Sequence, residues 1–200
     1  MPAYYRMEAK EFFALPAANT PINLLNPDYA LLDAALFHVT NEARAKARRD
    51  AFAYSPVLDA SATGHSVAMI GRNFYGHENK LDPKSRTPPQ RIMAAGGQFR
   101  TTGENVAQVE LIDSGGSYCP RKQPGGEYRY FKCNTQQVFP VFTDLGLARR
   151  ISTGFMNSPP HRKNILNADF KDFGCAVRII KNPCRSQNAP FARITQNFGG

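Results

Sequence analysis

The spacing of apolar residues divides the chain into helical and extended segments. Apolar side chains recur every three or four residues after Asn26-Pro27, a typical helix start, and predict a helix over residues 26 to about 49. Further helices are expected at 61–70, at 88–96 and at 144–156, the last with Thr143 or Asp144 as its N-cap. Residues 54–59 are expected to form an extended connection.

Strand-like segments lie mainly in the second half of the chain. Apolar runs at 174–180 and 191–198 predict two strands, and a third strand is expected near 106–112. Residues 127–132 alternate like one arm of a hairpin. Together with the helices, these segments predict an α+β fold in which helical segments cover a small sheet.

Composition separates two unusual segments from the rest of the chain. Residues 1–25 contain three prolines and only a short helical stretch at 8–15, so we expect an extension that packs on the domain formed by residues 26–200. Residues 112–142 are rich in Gly, Pro, Tyr and Cys and are interpreted as an insertion within that domain. The length of 200 residues suits one domain with such additions.

Hydropathy and charge argue against two classes of protein. No apolar run approaches the ~20 residues needed to cross a bilayer, so we expect no transmembrane segment. Met1-Pro2-Ala3 opens no signal peptide, so the chain is expected either to be cytosolic or to begin after a removed signal. The formal net charge is +9, but the basic residues are scattered and no aromatic-interleaved patch accompanies them. A solvated basic surface with no nucleic-acid partner is therefore expected.

The four cysteines favour an oxidising compartment. Cys119, Cys133, Cys175 and Cys184 form no Cys-x-x-Cys pair, so a zinc ribbon is not predicted. Closure of short loops favours the disulfides 119–133 and 175–184, and the first would stabilise a Gly/Pro-rich loop by roughly 3 kcal/mol. Two disulfides would indicate secretion; the alternative is four buried free thiols.

Three side chains are candidates for chemistry because of where they stand. His161 follows a Pro-Pro pair that no helix interior tolerates, so it is expected at a corner that faces a cleft. His77 follows a glycine in irregular backbone between aromatic residues, and Glu104 follows a glycine at the entry to an apolar segment. His38 and His65 lie within predicted helices and are interpreted as packed, structural histidines.

Several segments occur together in the order and spacing of one known family. They are Thr40-Asn-Glu-Ala-Arg44, Ala62-Thr-Gly-His-Ser-Val-Ala-Met69, His77, the 88–96 helix, Gly103-Glu-Asn-Val-Ala107, Ser158-Pro-Pro-His-Arg-Lys-Asn-Ile-Leu166, Gly174-Cys-Ala176 and Thr195-Gln-Asn-Phe-Gly199. This set resembles the CAP superfamily of cysteine-rich secretory proteins, antigen 5 and pathogenesis-related proteins, whose characteristic unit is the SCP domain. The short segment between the preceding helix and His161 is most similar to the bacterial secreted branch. The resemblance covers roughly residues 27–112 and 143–199.

The resemblance implies a three-layer α-β-α sandwich with a small central antiparallel sheet and a central cavity. Family members line that cavity with two histidines and two acidic residues. By motif, His77 and His161 match the histidines and Glu104 matches one acidic residue. Ser158 stands where animal and plant members carry the second glutamate. The 112–142 insertion has no counterpart in the family pattern.

These residues support more than one function. Two imidazoles and a carboxylate suit a divalent cation, zinc by preference, so we expect a secreted or periplasmic binding protein with a metal-capable cleft made by His77, Glu104 and His161. Its partner would be an extracellular protein, peptide or lipid. Whether the protein is an enzyme stays open: a hydrolase could use His77 or His161 as general base with Glu104, but no nucleophile motif is present. Lipid or sterol binding is the third alternative, with Phe12, Phe13, Leu15 or the 128–131 arm supplying part of an apolar groove.

Overall fold

The elements of the protein are described from a computed structural model that covers residues 2–115, 117–124, 128–180 and 189–200. The helices are α1 (Ala9–Phe13), α2 (Tyr29–Lys46), α3 (Pro56–Gly71), α4 (Pro88–Ala94), α5 (Asp144–Asn157) and α6 (Pro159–Leu166), with short 3-10 turns at Ala3–Arg6, Ala17–Asn19 and Pro83–Ser85. The strands are β1 (Ala53–Tyr54), β2 (Thr102–Glu110), β3 (Cys119–Lys122), β4 (Tyr128–Phe131), β5 (Asp172–Ile179) and β6 (Phe191–Gly199). No helix of these described ranges is long and apolar enough to cross a membrane.

Four strands form the central sheet in the order β1-β5-β6-β2. β5, β6 and β2 are antiparallel, whereas the two-residue β1 pairs in parallel with the start of β5. The expected antiparallel sheet is therefore confirmed for its three long strands, and β1 adds a short parallel edge. At the opposite edge lies β2, whose register places Glu104 beside Asn197 of β6.

Helices cover both faces of this sheet, as the α-β-α prediction requires. On one face, Cys175 of β5 contacts α2 through a bond of 3.3 Å from its Sγ to the Asp33 carbonyl. On the other face, Gly174 lies against α3, where a Cβ atom would come within 2.1 Å of the Asp59 backbone nitrogen. Only glycine allows that approach of strand and helix. Phe173 and Phe198 stack 5.1 Å apart inside the core.

The helix starts follow capping chemistry and correct two boundaries expected from the sequence. Asp28, rather than Asn26, caps α2, because its carboxylate accepts a bond of 3.0 Å from the Leu31 N–H. Ser55 caps α3 and Pro56 is its first residue, so the prediction of an extended connection over 54–59 is wrong beyond Ser55. For α5, the structure confirms the predicted start at Asp144 with Thr143 as N-cap.

The predicted corner at His161 is a helix start instead. Pro159 and Pro160 form the first turn of α6, where the missing backbone N–H groups would have had no intrahelical partner anyway. The Pro-Pro pair ends α5 as expected, and Ser158 is the junction between the two helices. His161 is consequently held on the first turn of a helix rather than on irregular backbone.

The segment 112–142 carries its own small structure. β3 and β4 pair as a hairpin, so the arm expected at 127–132 is a strand from Tyr128 onwards, while Glu127 lies outside the described residues. The predicted Cys119–Cys133 disulfide is present. A minor apolar cluster of Ile112, Tyr130 and Ala189 ties the hairpin to the start of β6.

The second predicted disulfide, between Cys175 and Cys184, involves one cysteine outside the described residues, Cys184. Cys175 itself is a free thiol, fully buried in β5 between the sheet and α2. Burial, together with the carboxylates of Asp33 and Asp59, raises the pKa of the Cys175 thiol well above its ordinary value. Cys175 therefore packs as an apolar core residue, and its pairing with Cys184 stays a prediction.

Candidate functional site

The centre of the site is the buried carboxylate of Glu104 on β2. Its side chain is 2% exposed, and each of its oxygens has its own partner. Oε1 bonds to His77 Nδ1 over 2.9 Å, and Oε2 accepts a bond of 2.6 Å from Arg91 Nη2. When the side-chain amide of Asn197 is oriented so that both its oxygen and its nitrogen have hydrogen-bond partners, its nitrogen donates to Oε2 over 3.2 Å. Both carboxylate oxygens of Glu104 therefore have hydrogen-bond partners within the protein.

Arg91 neutralises Glu104 and was not predicted from the sequence. It projects from the short helix α4, is 6% exposed and also donates to the Arg86 carbonyl over 2.9 Å. Pro88 and a capping box between Thr87 and Gln90 fix the start of this helix. A buried carboxylate needs such a cation, because an unpaired charge in the interior is strongly unfavourable.

His77 extends this pair towards solvent. Its side chain is 51% exposed, and because Nδ1 is bonded to a carboxylate, Nδ1 carries the proton and Nε2 faces outward. The hydrogen bond to Glu104 raises the pKa of His77 above its ordinary value, although partial burial opposes the shift. His65, the structural histidine predicted on α3, holds the neighbouring loop through its Nε2 and the Gly76 carbonyl, 2.9 Å apart.

His161 lies in the same region without contacting Glu104. Its ring packs on Phe155 with centroids 5.0 Å apart, and neither ring nitrogen bonds to a residue in the described ranges. Burial, and to a smaller extent the positive charge of His77, lowers the pKa of His161. The imidazole is therefore neutral at physiological pH, with a lone pair available for a metal ion or a ligand.

Side-chain amides attach His161 and its helix to β2. Asn105 Nδ2 donates to the His161 carbonyl over 3.2 Å, and Asn164 Nδ2 donates to Asn105 Oδ1 over 2.8 Å and to the Glu104 carbonyl over 3.2 Å. Gln196 and Thr40 continue this buried chain of hydrogen bonds to α2. The Gly-Glu-Asn motif thus supplies both the site carboxylate and the amide that positions the second histidine.

The three predicted metal ligands do not converge as a set. His77 and Glu104 are bonded, His161 is coupled to His77 only through charge, and the described ranges contain no group of three or more His, Cys, Asp or Glu side chains able to hold a metal ion. Both Glu104 oxygens are already engaged, so the donors that fit a metal are the two imidazoles. Ser158 lies beside His161 and provides no carboxylate.

A cleft of about 610 Å³ extends away from His161. Its walls are the outer edge of β2 and the facing side of α5, with Tyr75 at the rim. The lining includes Val106, Ala107, Gln108, Val109 and Glu110 from β2 and Arg150, Ile151, Thr153, Gly154, Phe155 and Asn157 from α5.

Two aromatic residues expected in a lipid groove are packed inside instead. Phe12 is fully buried and stacks on His38 with centroids 4.5 Å apart, and His38 is the structural histidine predicted for α2. Tyr130 is buried in the small cluster under the hairpin. Neither residue is available to line an open apolar surface.

The fold and the site together define a class of protein: an α-β-α sandwich with a histidine–glutamate pair at a sheet edge. Residues 37–198 match the Cysteine-rich secretory protein family, CAP, and the chain belongs to this family. No protein of curated function matches it at a significant level.

Solved structures with the same fold include two bacterial proteins. An extracellular protein containing an SCP domain from Bacillus anthracis is 22% identical over 88% of this chain, with a TM-score of 0.57, and this chain spans only 42% of that protein. An outer surface protein from Borrelia burgdorferi is 17% identical over 82% of this chain and 90% of its own, with a TM-score of 0.51. These likenesses establish the fold.

Proposed function

We propose that the protein is an extracellular binding protein whose ligand site is the cleft at the edge of β2, and that the imidazole of His161 in this cleft and the neighbouring imidazole of His77 bind a divalent cation, zinc by preference. The observation that carries the proposal is the orientation of His77. Its Nδ1 is held by a carboxylate, Glu104, which is itself neutralised by Arg91.

Metal-binding histidines in proteins characteristically have this arrangement. A carboxylate that accepts the Nδ1–H bond fixes the tautomer, directs Nε2 at the metal and raises the basicity of the ligand. Glu104 therefore has the role of an outer partner rather than of a ligand, which differs from the three-ligand expectation. Zinc prefers four ligands, so two imidazoles would leave positions open for atoms of a bound partner.

An extracellular location is supported by chemistry and by relatives. The Cys119–Cys133 disulfide suits an oxidising compartment. The structural neighbours are described as an extracellular protein and an outer surface protein, and both come from bacteria. We infer export of this chain as well, out of the cell or into a periplasm.

Hydrolysis is the second candidate, because the same contact would orient a general base. His77 has a raised pKa and an outward Nε2, as a water-activating imidazole would. If His77 has this role, turnover of peptide or ester libraries must disappear in His77→Ala. Activity that persists in that variant would exclude His77 as the base.

Calorimetric zinc titration of the chelator-stripped protein tests the metal proposal. We expect one zinc ion per chain, weakened in His77→Ala or His161→Ala and abolished in the double variant. Glu78→Gln is the matched control, because Glu78 neighbours His77 but is exposed and pairs with Arg86 instead. Absence of zinc binding by correctly folded wild-type protein would refute the metal site. Unchanged zinc binding by the double variant would show that other residues bind the zinc ion.

A further inference from the structure

The outer edge of β2 has backbone groups that point away from the sheet. Thr101 and Gly200 exchange two backbone hydrogen bonds of 3.0 Å, which sets the alternation of the β2–β6 ladder. In an antiparallel pair, every second residue bonds to its neighbour and the residues between direct their N–H and C=O groups to the other side. The residues whose groups point outward are Thr102, Glu104, Val106, Gln108 and Glu110.

In the described residues, side chains bond to two of these outward carbonyls, those of Glu104 and Val106. Asn164 donates to the Glu104 carbonyl over 3.2 Å, and the Tyr75 hydroxyl makes a long bond of 3.4 Å to the Val106 carbonyl. For Gln108 and Glu110, no residue in the described ranges bonds to the outward N–H or C=O.

This unpaired edge is one wall of the cleft. All five residues from Val106 to Glu110 line the cleft. Because successive side chains of a strand point to opposite faces of the sheet, a cleft that contacts five consecutive residues must run along the edge of the strand. Helix α5 stands opposite, and the cleft between them is about 610 Å³. An unpaired strand edge with open space beside it is a template for another strand.

We propose that an extended peptide segment of a partner protein binds in this cleft by adding a strand to β2. The peptide backbone pairs with Gln108 and Glu110, and its alternate side chains face α5. The inference rests on the proposed function only in taking this cleft as the ligand site. It does not require the metal ion.

The charges around the cleft favour a foreign peptide over a second copy of this chain. Glu110 and Asp113 line the β2 wall and the loop beyond it, while Arg150 lies on the helical side, so a peptide with both acidic and basic side chains finds complementary partners. Two copies would each carry a formal net charge of +9. A second copy that paired through the same edge would also bring its own α5 towards the edge that α5 already faces.

The test uses a proline that removes one outward N–H without touching the ladder. Gln108 is exposed, and its N–H points away from β6, so Gln108→Pro is compatible with an edge strand. Gln108→Ala is the matched control, since it removes the side chain and keeps the N–H. Random peptides of about ten residues, displayed as a library and selected on chelator-treated wild-type protein, supply the probes, and their affinities are measured by fluorescence polarisation.

We expect selected peptides to bind Gln108→Pro about tenfold or more weakly, and Gln108→Ala nearly as well as wild type. N-methylation of alternate peptide residues should abolish binding in one register and spare it in the other. Equal binding to both variants, or a library from which no peptide is enriched, would overturn the proposal. Two further measurements separate strand addition from zinc binding. The zinc affinity of Gln108→Pro should equal that of wild type, and the double histidine variant should still bind the selected peptides.

Discussion

In the described residues two carboxylate–arginine pairs have buried carboxylates, and the surroundings of the two pairs differ. Glu104 on β2 pairs with Arg91 of α4, and Asp33 on α2 pairs with Arg178 of β5. Both carboxylates are almost completely withdrawn from solvent. What differs is the third partner, which is a half-exposed histidine for Glu104 and the backbone of the sheet for Asp33.

The Asp33 pair is closed on all sides. Asp33 accepts a bond of 2.7 Å from the Val177 N–H, and Arg178 binds both carboxylate oxygens and the Thr63 hydroxyl. Burial raises the pKa of Asp33 to about 7, although the positive charge of Arg178 opposes that shift. A pair like this fixes α2 and α3 to the sheet and has no free atom for a ligand.

The Glu104 pair is open on one side. The same kind of buried carboxylate holds His77, whose ring reaches solvent, and its neighbour Asn105 holds the helix of His161. The comparison shows that a buried ion pair by itself does not indicate a site. A bond from the carboxylate to a half-exposed imidazole distinguishes the pair in the candidate site from the closed one.

Breaking the closed pair should have the largest effect on stability. Arg178→Met leaves Asp33 buried without its cation, which costs about 3–5 kcal/mol of the free energy of unfolding, measured in urea. Zinc affinity should remain at the wild-type level, because the Glu104 pair is intact. The double variant Asp33→Asn/Arg178→Met should recover part of the loss, and a double variant no more stable than Arg178→Met would show that charge burial is not the cause.

Substitutions in the open Glu104–Arg91 pair should affect ligand binding more than substitutions in the closed Asp33–Arg178 pair. Glu104→Gln keeps the shape of the side chain but weakens the bond to His77, so we expect zinc affinity to fall about 10–100-fold. The pKa of His77, followed by NMR, should fall towards its ordinary value because its main stabilising partner is lost. Asp33→Asn is the control and should leave both quantities unchanged. Wild-type zinc affinity in Glu104→Gln would show that Glu104 does not orient His77 for zinc binding.

Local signals account for the parts of the fold that the sequence predicted. Thr143 as the cap of α5 and the strands near 174–180 and 191–198 depend on neighbouring residues, and the structure has them within about two residues. The same kind of signal is ambiguous at Asn26-Pro27, because Asp28 competes as the cap of α2. At Ser55-Pro56 the cap and the proline do mark a helix start, although the segment was expected to be extended.

The missing parts of the site depend on contacts between elements. Arg91 meets Glu104 only because α4 packs across β2, and nothing in the spacing of the two residues indicates a bond. The buried amides of Asn164 and Gln196 were likewise missed as positioning groups, since an Asn or Gln is usually a surface residue. One clue was available: a buried Gly-Glu-Asn strand segment requires a cation for its glutamate.

A dependence of stability on pH also separates the two pairs. Because the folded pKa of Asp33 is about 7 and an unfolded aspartate titrates near 3.9, the folded protein binds the extra proton between these values, and this carboxyl contributes less stability as the pH rises from about 4 to 7. His77, with a raised folded pKa, contributes stability that is fully present below about pH 6.5 and is lost as the pH rises through its folded pKa.

Urea unfolding at several pH values between 5 and 8 distinguishes these windows. The free energy of unfolding of Asp33→Asn, relative to wild type, should increase as the pH rises to 7, because the variant lacks the titrating carboxyl. For His77→Ala, the difference from wild type should change with pH only above about pH 6.5. Groups that are common to both proteins and not coupled to the substituted residue, such as Asp144, cancel in the differences. A difference between Asp33→Asn and wild type that stays flat from pH 5 to 7 would mean that Arg178 keeps Asp33 ionised throughout, and the closed pair would then be an ordinary salt bridge with no proton linkage.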